Sequence, residues 1–183
     1  MKISNYLNVW ERIEYIFKTH PENAALHYPS KERDILYKDL NLLVNKFTNL
    51  FLNKGFKPGD VCAIFNDKSE KGIAIILTCI RLGVVFTNLD INSPLDRLQK
   101  ILLKCKPKYI VNFFNDSFDN GKFNTPFRFL DINLVEELNT SLPKNYESPI
   151  GSSPLYIMFT SGSTGFPKGA VISNNNLLSF AEW

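Results

Sequence analysis

The sequence predicts an α/β fold, a mostly parallel sheet with flanking helices, and two observations carry that prediction. From Asp60 onward, short apolar runs alternate with helix-like segments, and the connections between them are long enough to be crossovers. Parallel neighbours need such crossovers, which lay helices over the faces of the sheet. Composition then bounds the size of the unit. The 183 residues are 44% hydrophobic and 21% charged, enough for one sizeable core and too few for several.

The elements follow in order. Tyr6, Trp10, Ile13 and Phe17 recur at helical spacing, and Pro21 follows the expected end of that helix. Ala24 to Tyr28 reads as extended, Pro29-Ser30-Lys31-Glu32 as a turn, and Ile35-Leu36-Tyr37 as the second arm of a small hairpin. Leu40, Leu43, Val44, Phe47, Leu50 and Phe51 mark an amphipathic helix, which Gly55 closes with a left-handed residue. Val61 to Phe65 is a strand after the Lys57-Pro58-Gly59-Asp60 turn. Ile73 to Leu82 is apolar on nearly all sides, so it is a buried helix, and Val84 to Asn88 is the next strand. Ser93 suits an N-cap, Pro94 the first helical position and Asp96 the positive end of a helix running through Cys105. Tyr109 to Phe114 and Phe127 to Ile132 read as strands, and Asn139 to Pro154 as a polar connector. No internal repeat is visible.

Charge and cysteine usage narrow the function classes. Lys plus Arg is 21 against 18 for Asp plus Glu, and a formal charge of +3 is too slight to argue for nucleic acid or an anionic membrane surface. Cys62, Cys79 and Cys105 are an odd set without a C-x-x-C pair and have apolar neighbours, which favours reduced thiols in a cytoplasmic protein. Asn5, Asn8, Glu11, Arg12 and Glu14 interrupt the start of the chain, so no signal peptide is expected. The longest apolar stretch, Gly72 to Ile80, falls far short of the roughly 20 residues of a membrane span. His20 and His27 have no further ligand at metal-binding spacing, so no metal is assigned. Lys100, Lys104, Lys106 and Lys108 suit the C-terminal end of a helix, where they complement its dipole and stay solvated. Asp116 with Asp119 and Glu136 with Glu137 do not have the placement of an acid/base pair.

Chemistry concentrates in one place. The apolar run Leu155 to Phe159 leads directly into Thr160-Ser161-Gly162-Ser163-Thr164-Gly165-Phe166-Pro167-Lys168-Gly169, followed by Ala170-Val171-Ile172. Glycines let a backbone approach a ligand closely and turn successive N–H groups toward an anion. Hydroxyls and the Lys168 ammonium add donors of the kind that bind ionised oxygens strongly. That composition suits a polyphosphate; a plain Ser/Gly loop or hairpin is the bland reading of the same residues. A Walker loop is excluded because Lys168 precedes Gly169 and no Ser or Thr follows it. A dinucleotide fingerprint is excluded because Gly162, Gly165 and Gly169 are spaced three and four apart.

Phe159 to Gly169 closely resembles the phosphate-binding loop of the adenylate-forming enzymes, the superfamily of acyl-CoA synthetases, luciferases and amino-acid adenylation domains. Two upstream blocks support this in the expected order. Ile35-Leu36-Tyr37-Lys38-Asp39-Leu40 resembles the L-T-Y-x-E-L block, and Arg81 to Asp90, continued by Pro94 and Arg97, resembles the K-A-G-x-A-Y-x-P-x-D block. Departures are Thr87-Asn88 for an aliphatic residue and Pro, Ile91 for a second Pro, and Ser93 for Tyr. The Asp90 to Arg97 spacing and the Ile172 to Trp183 tail look most like amino-acid-activating members, with D-alanine–carrier protein ligases and nonribosomal peptide synthetase adenylation domains the nearest comparison.

The resemblance implies an ATP-dependent ligase in which a carboxylate attacks the α-phosphate, pyrophosphate leaves, and the acyl group passes to a thiol of a carrier protein or CoA. It implies Thr160, Ser161, Gly162, Ser163, Thr164 and Gly165 as the phosphate cradle and Lys168 as a mobile counter-charge. It also implies ATP and Mg²⁺ as requirements of the whole enzyme. The adenine and substrate pockets, the Mg²⁺-linked Glu and the catalytic Lys of the family lie beyond this loop, so no catalytic residue is assigned. Residues 1–183 are accordingly expected to be the N-terminal portion of the large domain of such an enzyme, inactive alone, prone to self-association and completed by the rest of the same enzyme. The alternatives are half of a split enzyme, a fragment of a fatty or aryl acyl-CoA synthetase, or a noncatalytic α/β interaction module.

Overall fold

The computed structural model describes residues 8–114, 123, 126–142, 149–160 and 166–183. Helix α1 (Val9–Thr19) precedes a two-stranded antiparallel hairpin of β1 (Ala24–Tyr28) and β2 (Arg33–Leu36). Its turn, Pro29–Lys31, is a single 3₁₀ turn, and Glu32 takes the left-handed conformation with φ of 46°. Helix α2 (Tyr37–Asn53) starts earlier than the apolar periodicity suggests, so Tyr37 opens the helix instead of ending the hairpin. Gly55, with φ of 71°, follows its end as expected.

The main body is a five-stranded sheet in the order β5-β3-β4-β6-β7. Strands β3 (Val61–Phe65), β4 (Val85–Leu89), β5 (Tyr109–Asn112) and β6 (Pro154–Thr160) run parallel, and β7 (Lys168–Ser173) is antiparallel to β6. The fold class is α/β, with a mixed, mostly parallel sheet and flanking helices. Period-two alternation sorts β3, an interior strand, between two cores. Cys62 and Ile64 of β3 join Val44, Phe47, Ile75 and Cys79 beneath α2 and α3 (Glu70–Leu82), while Ala63 and Phe65 join Leu98, Ile101 and Leu102 of α4 (Leu95–Cys105) on the other face. A strand buried on both faces reads as a continuous apolar run, which is why Val61–Phe65 lacks polar residues.

Helix α3 is the buried helix expected from its apolar composition, and it begins three residues earlier than its apolar run. Ser69 caps it by accepting a hydrogen bond from the Gly72 N–H at 3.2 Å, and Gly83 closes it at φ of 65°. A Cβ on Gly83 would lie 3.3 Å from both Pro149 and Pro58, so glycine here meets a backbone and a packing demand together. Buried Arg81 in the last turn is held over the Trp10 ring at 4.6 Å and donates to Asn45 Oδ1 at 2.6 Å, joining α1, α2 and α3.

Two local expectations give way. Ser93 does not cap α4; Pro94, with φ of −53° and ψ of 138°, is the half-in residue, and its carbonyl accepts the first helical bond from Leu98. The ring fixes φ at a value that serves either position, so the sequence could not separate them. Phe127 to Ile132 does not form a strand. It contributes one bridge, Phe129 to Ile110, held by Ile110 N–H to the Arg128 carbonyl at 2.7 Å and Leu130 N–H to the Ile110 carbonyl at 2.8 Å.

A buried polar seam ties the start of α1 to the start of α5 (Asn174–Glu182). Asn174, fully buried, accepts from the Val9 N–H at 3.2 Å and donates to the Ser153 carbonyl at 3.3 Å. Asn8 caps α1 through the Glu11 N–H at 3.0 Å and donates to the Pro149 carbonyl at 2.9 Å. Helix starts leave N–H groups without internal partners, and here a distant asparagine supplies one. Asn174→Ala strands the Val9 N–H in the interior and should cost about 1–3 kcal/mol. The check is urea unfolding followed by circular dichroism, with the midpoint falling and the slope unchanged.

Candidate functional site

The carboxyl ends of β3, β4, β5 and β6 share one edge of the sheet because the four strands are parallel. Ligands of open α/β sheets bind outside this edge. The hydroxyl-rich segment leaves β6 there, and β7 returns antiparallel beside it, so the loop joins the arms of a hairpin in which Thr160 faces Lys168 in register. Both residues are exposed. Among the described residues no carboxylate pairs with Lys168. Ser161, Gly162, Ser163, Thr164 and Gly165 lie outside the described residues.

Gly169 has a role the motif alone does not reveal. It pairs with Phe159 across the hairpin, and a Cβ there would sit 3.0 Å from the Phe159 ring and 3.1 Å from Ile157 Cγ2. Its lack of a side chain therefore lets Phe159 lie over the hairpin, against the α4 core.

The hairpin is joined to the parallel strands by a narrow seam. Phe86 and Tyr156 are the only Cα partners between β4 and β6, and their rings stack with centroids 5.5 Å apart. Thr87, buried, donates its hydroxyl to the Ile157 carbonyl at 2.9 Å, satisfying a main-chain acceptor where the ladder ends. Beyond it the strands diverge around a groove of about 230 Å³ lined by Asn88, Asp90, Ser93, Arg97, Tyr156 and Phe159. Sequence reading named Asp90 and Arg97 only as parts of a motif; the splay of β4 from β6 turns them into the wall of a groove.

The other flank rests on α4. Lys104 donates to the Pro167 carbonyl at 3.1 Å, and Lys100, paired with Asp96 at 2.7 Å, lies 5.1 Å from the Phe166 ring centroid. Lys104 stays exposed, as expected of a helix-end lysine, and the contact with Pro167 is an addition that the sequence did not reveal. Lys108 pairs with Asp60 at 2.7 Å and Lys106 ends α4 in the left-handed conformation.

The remaining titratable groups are structural. Burial pushes the Cys105 thiol up to about 12, and burial next to Cys62 raises Cys79 well above the usual thiol range. All three cysteines are free and buried, as small hydrophobes would be. His27 Nδ1 lies 2.5 Å from Asp34, His20 Nδ1 is 2.7 Å from Thr19, and Glu136 is lowered by its hydrogen bond and charge contact with Lys71 at 2.6 Å. Among the described residues no group of three or more His, Cys, Asp or Glu is placed to hold a metal. No helix among them is long and apolar enough to cross a membrane.

A mixed, mostly parallel α/β sheet with flanking helices, from whose carboxyl edge the segment after Thr160 departs, has the fold of an N-terminal subdomain of the adenylate-forming type. The chain belongs to the AMP-binding enzyme family, whose model matches residues 13–183. It is 32% identical over 175 residues to the hybrid PKS-NRPS synthetase gkaA of Penicillium citrinum, and 28% identical over 166 residues to surfactin synthase subunit 2 of Bacillus subtilis (strain 168). Those alignments cover 93% and 90% of this chain but 4% of each relative. The N-terminal subdomain of Klebsiella oxytoca NpsA has the same fold, with a TM-score of 0.82 at 23% identity over 94% of this chain and 44% of that one. The N-terminal domain of FACL13 from Mycobacterium tuberculosis matches with a TM-score of 0.75 at 20% identity over 92% of this chain and 45% of that one.

Gly169→Val forces Phe159 off the hairpin face, at a cost of about 1–3 kcal/mol concentrated at the loop end. Hydrogen exchange should accelerate in residues 168–173 while Val61–Phe65 stays protected; equal acceleration in both would show that the hairpin is not an independent edge.

Proposed function

We propose that the chain is the N-terminal segment of an ATP-dependent ligase that activates a carboxylate, an amino acid, as its acyl-adenylate before transfer to a carrier-protein thiol, working in the cytoplasm. The observation that carries this reading is the placement of Thr160 and Lys168, which flank the glycine- and hydroxyl-rich stretch of sequence, at the carboxyl edge of the sheet's parallel strands, in a chain of the AMP-binding enzyme family. The choice of an amino acid and a carrier protein over a fatty or aryl acid and CoA draws on the nonribosomal peptide synthetases among its relatives.

In the proposed reaction a carboxylate oxygen bonds to the α-phosphorus while the bond to the α–β bridging oxygen breaks, and pyrophosphate departs with that electron pair. The work assigned to Thr160, Ser161, Gly162, Ser163, Thr164 and Gly165 is to hold the β- and γ-phosphates so that nucleophile, phosphorus and leaving oxygen stay in line. Lys168 offsets charge accumulating on the departing pyrophosphate. The donors fit an anion: hydroxyls, amides and an ammonium. Mg²⁺ would enter with the phosphate oxygens, neutralising their charge, and no described residue is assigned to it.

The test is amino-acid-dependent pyrophosphate exchange. The 183-residue chain alone should show none, because a phosphate clamp without the remaining groups supplies only part of the stabilisation. In the full-length enzyme Gly165→Val should lower ATP-dependent activation by roughly 10²-fold or more with little change in the melting temperature. Unchanged kinetics would remove the loop from the mechanism.

A second outcome concerns association. Met158 and Val171 on the edge hairpin are 53% and 58% exposed, with Phe166, Phe180 and Trp183 also open to solvent. Sedimentation velocity of the isolated chain should show self-association rising with concentration. A strictly monomeric species throughout would contradict this.

A further inference from the structure

We infer that Lys104 is a positioning residue for nucleotide binding, holding the exit of the phosphate-binding loop from the last turn of α4. This rests on the phosphate-binding reading of that loop. Pro167 directly precedes Lys168, the residue assigned to the leaving pyrophosphate, and is itself buried. Proline has no N–H, so its carbonyl is the one main-chain group it offers, and Lys104 Nζ donates to it at 3.1 Å. One helical turn earlier Lys100 places its ammonium 5.1 Å from the Phe166 ring centroid, so two lysines at i and i+4 address successive residues of the same arm.

The contact is not incidental packing. Between α4 and the arm lies an open cavity of about 280 Å³ lined by Lys100, Leu103, Lys104, Phe166 and Pro167, so Pro167 is buried while Phe166 stays largely exposed beside that space. The Lys104 hydrogen bond and the Lys100 ring contact cross that space and add to the β6–β7 pairing that begins at Lys168. The other lysines of the group are committed elsewhere: Lys108 to Asp60 and the Gly55 carbonyl, Lys106 to the end of the helix. Removing the Lys104 donor leaves the α4 core, built from Leu98, Ile101 and Leu102, untouched. It should widen the range of positions Lys168 samples, which weakens binding of the triphosphate without changing the acid's pocket.

The experiment compares Lys104→Met, which keeps the aliphatic stem, with Lys104→Arg, which keeps a donor. In the isolated chain, hydrogen exchange of residues 166–173 should quicken several-fold in Lys104→Met and return toward the parent rate in Lys104→Arg, with Val61–Phe65 unchanged. In the full-length enzyme, pyrophosphate exchange with MgATP varied should show the KM for ATP raised roughly three- to tenfold in Lys104→Met, with kcat and the acid's KM within about twofold of parent. Unchanged exchange in residues 166–173, an unchanged ATP KM, or failure of arginine to restore either would overturn the inference. Gly165→Val is run alongside. If it impairs ATP use while Lys104→Met does not, the positioning role alone falls; if neither alters ATP kinetics, the phosphate reading falls with it.

Discussion

The placement of the β6–β7 hairpin, to which phosphate binding is assigned in the proposal, depends on the seam between β4 and β6. Those strands share a single register pair, and the Thr87 hydroxyl supplies the Ile157 carbonyl with a donor just past it. A buried carbonyl left without a partner costs about 1–3 kcal/mol, whereas a satisfied one contributes about 1 kcal/mol, so the seam matters mainly through what its loss would expose. Beside it lies the groove lined by Asn88, Asp90 and Arg97, next to the hairpin. Thr87 departs from the aliphatic residue usual in the family block, and in this structure its hydroxyl donates to the Ile157 carbonyl, a bond an aliphatic side chain cannot make.

Stability and function are divided across the sheet. Strands β3, β4 and β5 lie between α2 and α3 on one side and α4 on the other, with Phe47, Phe51, Phe65 and Leu98 fully buried. The hairpin of β6 and β7 has a different economy, since β7 is an edge strand that is largely exposed. It is held by hydrogen bonds at three places: the Thr87 seam, the Asn174 network at the base, and Lys104 at the loop end. Such an edge opens locally at lower free energy than the core, which suits the proposed role of a segment that admits and releases a nucleotide.

How far the sequence revealed this varies with the origin of each feature. Features set by local chemistry were legible: the buried helix through Ile75 and Cys79, the glycine stop at Gly55, and the apolar strand ending at Phe159. Features set by distant partners were not. Phe127 to Ile132 has the apolar content of a strand, yet only one bridge to Ile110 forms, because a ladder requires a matching edge that no local pattern encodes. Lys104 reads as a helix-end cation until the fold brings Pro167 beside it, 63 residues away in the chain. Asn174 likewise looks like a helix-start residue, while its buried side chain serves the N-terminus of a different helix. Gly169 was legible as part of a motif, but its packing against Phe159 was not.

The chain direction after the loop also accounts for its composition. In a Walker loop the strand leads directly into a helix, whose N-terminal dipole and free N–H groups face the phosphates. Here the segment is followed by β7, which carries the chain back along β6 until Ser173 pairs with Pro154 at the opposite edge of the sheet. Helix α5 therefore starts far from the loop, and its first turn is already engaged by the capping box of Ser173 and Asn176. With no helix start supplied by the next element, positive potential has to come from donors within the segment. Thr160, Ser161, Ser163 and Thr164 provide hydroxyls, and Lys168, in register with Thr160, provides the full charge at the mouth of the hairpin. On the proposed reading, a loop without a helix start relies on such donors to hold a triphosphate end, so the hydroxyl-rich sequence and the antiparallel return answer the same electrostatic demand.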